Sequence, residues 1–315
     1  MRLVFMGSPE FAIPALQLLL INGHRLAAVY TRPDKPAGRG RAMIAPPVKA
    51  AALSWDLPVI QVSGFKKPEA VEQLAGLKPE AVVVAAFGQI LPPAVLEIPS
   101  YGCLNIHPSL LPKYRGPAPV VATILAGDEM AGVSVMRLDA GMDTGPIFSQ
   151  AQVPVLAQDT ASSLTARLFQ IGARMLLEVL AFLPSGSLIP EPQNASAASY
   201  SREITREDGR IDWKLTTREI WRRVRAYQPW PEAYTTWQGK QLKIIEAWPL
   251  ERRASAGPGR VVSLEPTEGG LKASFGVGTG DGVLGVLKVQ FEGKRALSAE
   301  EFLRGQRDFL GTTLE

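Results

Sequence analysis

An amide and an imidazole stand two residues apart at Asn105 and His107. In an extended strand, residues i and i+2 point to the same face, so both side chains can meet one reacting group. Such a pair suits acyl transfer, because one side chain can donate a hydrogen bond to a developing oxyanion while the other handles a proton. The chain has two histidines, His24 and His107, so neutral-pH acid–base chemistry on a histidine points to His107.

The residues around this pair predict where it lies. Residues 102–106 have the apolar pattern of a strand, and the run that follows, 108–119, is rich in proline. Proline excludes that run from a helix interior or a central strand, so the pair belongs where a strand gives way to a loop. In open α/β sheets, ligands bind at that edge. A hydrogen-bonded polar pair without catalytic function is the alternative interpretation.

Two carboxylates four residues apart, Asp139 and Asp143, flank Gly141, and Gly145 follows them. Aspartates beside glycines are commonly solvated turn residues. The functional interpretation is that one of them meets the histidine, because a carboxylate beside an imidazole stabilises its protonated form or holds a water for proton relay.

A basic loop is predicted at residues 31–41, directly after a strand, and it is rich in proline and glycine. It contains four basic residues and one acidic residue, which suits an arm that grips phosphates, since arginine presents forked donors. An exposed loop with solvated charges is the alternative. The segment Gly7-Ser8-Pro9 lacks the second and third glycines of a dinucleotide loop.

Composition limits the class of protein. The 315 residues are 46% hydrophobic, which is typical of a globular chain, and one cysteine excludes an internal disulfide and a cysteine-built zinc site. No cluster has metal-ligand spacing, so we expect no metal. We also expect a cytoplasmic protein, with no signal peptide and no apolar run long enough to cross a bilayer.

Strand-like and helix-like segments alternate through the first half, which predicts an α/β fold with an open, mostly parallel, Rossmann-like sheet. After a polar, proline-punctuated stretch, short strand-like runs from about residue 234 predict a smaller C-terminal β-barrel, resembling an OB fold. The predicted domains are residues 1–189, a linker at 190–208, and residues 209–315. The last of these holds 17 basic and 13 acidic residues, hence the whole positive excess of the chain.

Taken together, these motifs resemble the folate-dependent formyltransferase family, and within it the methionyl-tRNA formyltransferases. The resemblance covers essentially the whole chain. It rests on the segments 7–11, 33–40, 86–92, 105–112, 114–119, 127–128, 143–145, 208–213 and 225–231. Position 87 is a phenylalanine where many relatives have tyrosine.

The resemblance implies transfer of a formyl group from 10-formyltetrahydrofolate, a co-substrate, to the α-amine of methionyl-initiator tRNA. It makes Asn105, His107 and Asp143 the catalytic residues. It also implies two sets of contacts. Folate would be bound by Ser109, Leu110, Leu111, Pro112 and the backbone of Phe87, Gly88, Gln89, Ile90 and Leu91. The tRNA would be bound by Lys35, Arg39, Arg41, Arg222, Arg223 and Arg225. Arg39 is the strongest single candidate in that set.

Other functions are weighed against this one. A glycinamide ribonucleotide formyltransferase shares the same three residues but would end near residue 200. A formyltransferase acting on an amino-sugar nucleotide, or a formyltetrahydrofolate hydrolase, also has a second small domain and remains open. The basic loop and the basic C-terminal third favour a polyanionic acceptor. An RNA-binding module with a dead catalytic half is disfavoured by the intact three residues. We expect a monomer that works without a membrane.

Overall fold

The computed structural model describes residues 1–37, 42–250, 257–264 and 273–315. The chain divides into two compact units. The first unit comprises Met1–Pro119, Met130–Pro154 and Leu164–Arg202. The second unit comprises Val120–Glu129, Val155–Ser163 and Glu203–Glu315.

Seven strands form the sheet of the first unit. They are β1 (Arg2–Gly7), β2 (Arg25–Thr31), β5 (Val59–Gln61), β6 (Ala81–Ala85), β7 (Cys103–His107), β8 (Met130–Arg137) and β9 (Ile147–Pro154). Their order is β5-β2-β1-β6-β7-β8-β9, with parallel pairing from β5 to β7 and antiparallel pairing from β7 to β9. Every residue of β6 is buried, which explains its uninterrupted apolar sequence.

Helices connect the parallel strands. They are α1 (Ile13–Ile21), α2 (Pro47–Ser54), α3 (Pro68–Gly76) and α4 (Pro93–Leu96), followed by α5 (Pro119–Ala126) and α6 (Ala161–Phe182). Proline opens α2, α3 and α4, where the missing N–H costs nothing. A core of buried apolar residues packs on the sheet around Val4, Tyr30, Phe65 and Val82.

One helical stretch among the described residues, Ala161–Ser185, is long and apolar enough to cross a membrane by length and composition alone. The expectation that no apolar run reaches that length is therefore wrong. The helix α6 buries Leu164, Leu168 and Leu176 completely, and a Cβ on Gly172 would touch Ile106 of β7 at 2.5 Å. Such close packing on the sheet is what a core helix shows.

A second sheet organises the second unit. Its strands are β10 (Ala233–Trp237), β11 (Lys240–Leu250), β12 (Val261–Ser263), β13 (Phe275–Gly278), β14 (Val283–Phe291) and β15 (Ala296–Ser298). They pair in the order β10-β11-β14-β13-β12, with β15 beside β14. The helices of this region are α7 (Thr217–Ala226) and α8 (Ala299–Gly305).

Residues 311–315 close this sheet into a barrel. Val261 of β12 donates to the carbonyl of Thr312 at 2.9 Å. On the other side, Thr236 of β10 and Glu315 exchange backbone hydrogen bonds of 2.9 and 3.1 Å. Residues 311–315 thus fill the gap between the edge strands β12 and β10. Their sequence has no strand-like pattern from which this pairing could be predicted.

The predicted fold class is confirmed by the mostly parallel sheet and the separate antiparallel barrel. One local difference concerns the basic loop predicted at residues 31–41. Its ends form a two-stranded hairpin of β3 (Lys35–Ala37) and β4 (Ala42–Ile44). The proline and glycine content of the segment predicts a loop, but a two-stranded pairing has free edges where the missing N–H of Pro36 is tolerated.

The amino end of α7 gives a pH-dependence prediction. The carboxylate of Asp281 accepts from the backbone N–H of Thr217 at 2.7 Å, and this contact holds the pKa of Asp281 below its usual value. Stabilisation from a depressed carboxyl pKa is present above the unfolded pKa of about 4 and is lost as pH falls through the folded pKa. We expect Asp281→Asn to lower the thermal midpoint at pH 7. The difference from wild type should shrink below about pH 4, and a difference that grows on acidification would contradict the assignment.

Candidate active site

The carboxyl ends of neighbouring parallel strands bring the sequence-predicted residues to one edge of the sheet. Strand β6 leads into residues 86–91 and β7 leads into residues 108–112. The two strands pair in parallel, with Val84 beside Asn105. Strand order reverses between β1 and β6, next to this pair, and such a reversal is where open α/β sheets form a ligand crevice.

His107 is the last residue of β7 and its side chain is 5% exposed. Its Nε2 lies 3.1 Å from the carbonyl oxygen of Tyr114. Because a carbonyl can only accept, Nε2 carries a hydrogen and donates it there. In the neutral ring, Nδ1 then has the lone pair, so the contact with Tyr114 leaves Nδ1 as the nitrogen that is able to accept a proton.

Asp143 faces that second nitrogen. Its Oδ2 lies 3.6 Å from His107 Nδ1, which is too long for a direct hydrogen bond but close enough to attract the ring when it is protonated. The same oxygen accepts from the backbone N–H of Gly116 at 2.8 Å. Asp143 has φ of 53°, in the left-handed region that aspartate tolerates better than most residues. The carboxylate is therefore held on both sides, by a turn and by a fixed donor.

Asn105 lies two residues before His107 on the same strand and the same face. Within the described part of the chain, its side-chain amide has no hydrogen-bond partner, and it is not among the enclosed unsatisfied groups. An amide with its donors unused is available to a ligand oxygen. The strand thus supplies one unoccupied donor beside one ring nitrogen that can accept a proton.

Of the two carboxylates considered, Asp143 meets the histidine and Asp139 does not contact it. Asp139 is exposed, and its Oδ1 accepts from Gly141 N at 3.0 Å and from Thr144 Oγ1 at 2.7 Å. This is the turn role expected of aspartate beside glycine. Gly145 allows the loop to return closely, since a Cβ there would lie 1.8 Å from the Arg137 carbonyl.

The side chains of segment 108–112 are buried or partly buried. Ser109 is buried and its Oγ donates to the Lys113 carbonyl at 2.6 Å, while Leu111 is 4% exposed. Leu110 is partly buried against the backbone of Gly132, and Pro112 is also partly exposed. A ligand could therefore reach the surfaces of Leu110 and Pro112 but not the side chains of Ser109 and Leu111.

The segment 86–91 has the same mixed character. Phe87 and Leu91 are buried, and Gln89 Nε2 donates to the Val62 carbonyl at 2.8 Å. Ile90 is 86% exposed, which is unusual for a large apolar side chain. Arg32 donates to the carbonyl of Gly88. This segment therefore offers a ligand its backbone and one apolar side chain.

The predicted tRNA residues are distributed unevenly. Lys35 is exposed at the start of β3, and Arg39 and Arg41 lie outside the described residues. On α7, Arg222 Nη1 donates to the Ala126 carbonyl at 3.4 Å, and Arg223 is partly exposed.

Arg225 is 9% exposed, with its guanidinium 3.8 Å from the centre of the Trp221 ring. Its Nη1 donates to the carbonyls of Leu156 and Asp159 at 3.3 and 3.1 Å. Burial lowers the pKa of Arg225 to about 10. These contacts occupy the side chain, so a packing role fits it better than an RNA contact.

Several residues that hold the site were not singled out from the sequence. Tyr114 and Gly116 have φ of 57° and 104°, and their backbone groups contact His107 and Asp143. Tyr114-Arg115-Gly116 belongs to a segment that carried the family resemblance, yet backbone roles leave no side-chain pattern to recognise. Among the described residues, no group of three or more His, Cys, Asp or Glu side chains is placed to hold a metal.

Comparison with known proteins bears on this geometry. The family model described as formyl transferase matches residues 1–180, and that of the formyl transferase C-terminal domain matches residues 203–307. The methionyl-tRNA formyltransferase of Dehalococcoides mccartyi is 49% identical over 316 aligned residues, covering 100% of this chain and 98% of the relative. That of Chloroflexus aggregans is 47% identical over 305 residues, covering 97% of each chain.

A solved structure shows the same fold. HypX from Aquifex aeolicus in complex with tetrahydrofolic acid superposes with a TM-score of 0.67 at 19% identity. The match covers 98% of this chain and 48% of HypX, so this chain spans about half the length of that protein.

Proposed function

Since this chain belongs to the methionyl-tRNA formyltransferase family, we propose that it transfers the formyl group of 10-formyltetrahydrofolate to the α-amine of methionyl-initiator tRNA. The product is N-formylmethionyl-tRNA for translation initiation. The observation that carries the acceptor assignment is the 49% identity, over the whole chain, to a methionyl-tRNA formyltransferase. The free amide of Asn105 and the paired His107 and Asp143 supply the groups that such a transfer needs.

The proposed chemistry is direct attack of the methionine amine on the formyl carbon. The new C–N bond gives a tetrahedral intermediate with an oxyanion, and Asn105 Nδ2 donates a hydrogen bond to that oxygen. His107 Nδ1 takes a proton from the attacking nitrogen and returns one to N10 of the leaving folate, whose bond to carbon breaks. The imidazolium that forms between these steps is stabilised by the Asp143 carboxylate, directly or through one water.

No covalent enzyme intermediate is needed, because the substrate amine is the nucleophile. The single cysteine fits this view. Cys103 is 1% exposed and burial raises the pKa of its thiol to about 12, so it is no reactive thiolate at neutral pH.

For the folate co-substrate, we propose a seat between the backbone of residues 88–90 and the partly exposed Leu110 and Pro112. Ile90 supports this assignment, because its exposed side chain would leave water when an aromatic ring covers it. The HypX structure of the same fold contains tetrahydrofolic acid, which also supports it. The buried side chains of Ser109, Phe87, Leu91 and Leu111 would shape this seat from behind.

For the tRNA, we propose that Lys35, Arg39 and Arg41 contact the acceptor end and that Arg222 and Arg223 of the second unit also contact the RNA. Arg225 is kept only as a packing residue beneath them, for the reasons of burial given above. We further propose a cytoplasmic monomer that acts without a membrane and with a C-terminal tRNA-binding domain at 209–315, after a linker at 190–208. The relatives' role in translation supports the compartment.

One assay separates the acceptor classes. The purified protein is given 10-formyltetrahydrofolate with charged initiator tRNA, with methionyl elongator tRNA, or with a nucleotide-linked amino sugar. We expect formyl-methionine on the initiator tRNA and much slower transfer to the other two acceptors, because only the first is the family's substrate. Formylation of the sugar alone would overturn the acceptor assignment, and release of formate with no acceptor used would indicate a hydrolase.

A further inference from the structure

We infer that Arg115 and Gln193 form a relay that positions Asp143 against His107, and that Gln193 acts by donating to the backbone of the Asp143 turn. The inference rests on the proposed formyl transfer, because its effect is measured on that reaction. Neither residue touches the reacting atoms in this scheme. Both are positioning residues.

The segment Tyr114-Arg115-Gly116 touches both partners of the catalytic pair. The Tyr114 carbonyl accepts from His107 Nε2 at 3.1 Å, and the Gly116 N–H donates to Asp143 Oδ2 at 2.8 Å. Arg115 lies between them and is 4% exposed. Any displacement of Arg115 would therefore move the acceptor for His107 and the donor for Asp143 together.

The guanidinium of Arg115 is directed at neutral groups. Its Nε and Nη2 donate to Gln193 Oε1 at 3.0 and 2.8 Å, and its Nη1 donates to Tyr200 Oη at 3.2 Å. Across the described ranges, no carboxylate forms an ion pair with it. A buried cation is costly unless its donors are satisfied, so its two bonds to Gln193 matter for its placement.

The side-chain amide of Gln193 connects Arg115 to the turn that contains Asp143. Its Nε2 donates to the carbonyl of Asp143 at 2.8 Å and to that of Gly145 at 2.7 Å. With both hydrogens in use and its oxygen held by a charged donor, the amide is fixed in one orientation, and each bond strengthens the next. The two carbonyls it holds flank Thr144.

The two hydrogen bonds from Gln193 act on a strained part of the backbone. Asp143 has φ of 53°, a conformation that costs a non-glycine residue free energy unless its surroundings hold it. Its carboxylate is 3.6 Å from His107 Nδ1, and a small rotation of the turn would carry it out of range. Two hydrogen bonds, one to the carbonyl of the strained residue and one to the carbonyl two residues later, are suited to preventing that rotation.

Gln193→Glu tests the relay. A glutamate keeps the shape and accepts from Arg115 as well as glutamine does, but it cannot donate to the two carbonyls and repels them. We expect kcat to fall by about 10–100-fold, the scale of a misplaced catalytic group. KM for both substrates should stay within about threefold, since uniform binding is not removed. Gln193→Ala should lose a similar factor.

A double variant distinguishes positioning from general loss of structure. If Gln193 acts through Asp143, adding Gln193→Glu to Asp143→Asn should change kcat by less than about twofold, because coupled residues are not additive. If the kcat losses of the two single variants multiply in the double variant, the relay is overturned. Full kcat in Gln193→Glu would also overturn it, since the residue would then serve only as an acceptor for Arg115.

The matched control is Gln290→Glu. Gln290 Nε2 likewise donates to a backbone carbonyl, that of Lys294 at 2.8 Å, at a partly exposed position of the second unit. This variant should keep wild-type kcat, and thermal melts of all variants report folding. A wild-type protein that forms no formyl-methionine would sink the proposed function itself, whereas an active wild type with an equally active Gln193→Glu variant would sink only the relay.

Discussion

His107→Ala should lower kcat for formyl transfer to methionyl-initiator tRNA by about 10²–10⁴-fold, the range of a lost general acid–base group. The substitution removes Nδ1, which we propose takes the amine proton and returns one to the leaving group. It also removes the imidazolium as a charge beside the intermediate. Single-turnover formylation with saturating folate measures the loss, and KM should change little because the ring is 5% exposed and offers little binding surface.

His24→Ala is the matched control for this variant, because it removes the other histidine of the chain. His24 precedes β2 and follows α1, away from the carboxyl edge of the sheet. Its loss should leave kcat within about twofold of wild type. If His107→Ala keeps more than a tenth of the wild-type kcat with a normal thermal midpoint, proton transfer in this site does not depend on the imidazole.

Asp143→Asn has the second large expected effect, a fall in kcat of about 10²–10⁴-fold. Asparagine tolerates the left-handed conformation at φ 53°, and its Oδ1 can still accept from Gly116 N. The fold should therefore survive, while the charge that faces His107 Nδ1 at 3.6 Å is lost. The imidazolium then forms less readily, so the chemical step slows while substrate binding is kept.

The same substitution four residues earlier provides the comparison. Asp139→Asn changes an exposed carboxylate whose oxygen holds Gly141 and Thr144, and an amide oxygen can accept from both. We expect kcat within about threefold of wild type, since only loop packing is touched. Equal losses at positions 139 and 143 would mean that the loop, and not the carboxylate beside the histidine, is what the reaction needs.

Much of the first unit could be predicted from local pattern. The all-apolar run at β6 and the prolines that open α2, α3 and α4 identify those elements directly. That the side chains of Asn105 and His107 lie on the same face of one strand follows from strand periodicity alone. Where the signal is local, the structure agrees within a few residues.

The choice between Asp139 and Asp143 could not be made locally, because both flank glycine and only the turn at φ 53° brings one of them to the histidine. Gln193 could not be found either. It is a neutral residue in a polar, proline-punctuated stretch predicted as a linker, and nothing in such a composition records two carbonyl partners 48 and 50 residues earlier in the chain. Residues such as Tyr114 and Gly116, whose backbone groups contact the site, cannot be found from side-chain patterns either, because the contact does not depend on the side-chain type.

The pairing of residues 112–118 with residues 199–201 also has a consequence for synthesis. Tyr114 N–H donates to Ser199 Oγ across 85 positions in the sequence. The Arg115 N–H donates to the Ser199 carbonyl at 2.9 Å, and the Ser201 N–H donates to the Arg115 carbonyl at 2.7 Å. Contacts between residues so far apart in sequence form late in folding, because the entropy cost of closing the intervening loop must be met first. On the ribosome, strand β7 with Asn105 and His107 would emerge long before Ser201. A nascent chain that ends before Ser201 would contain the side chains of Asn105 and His107, which we propose are catalytic, but would lack the residues that hold the loop beside them.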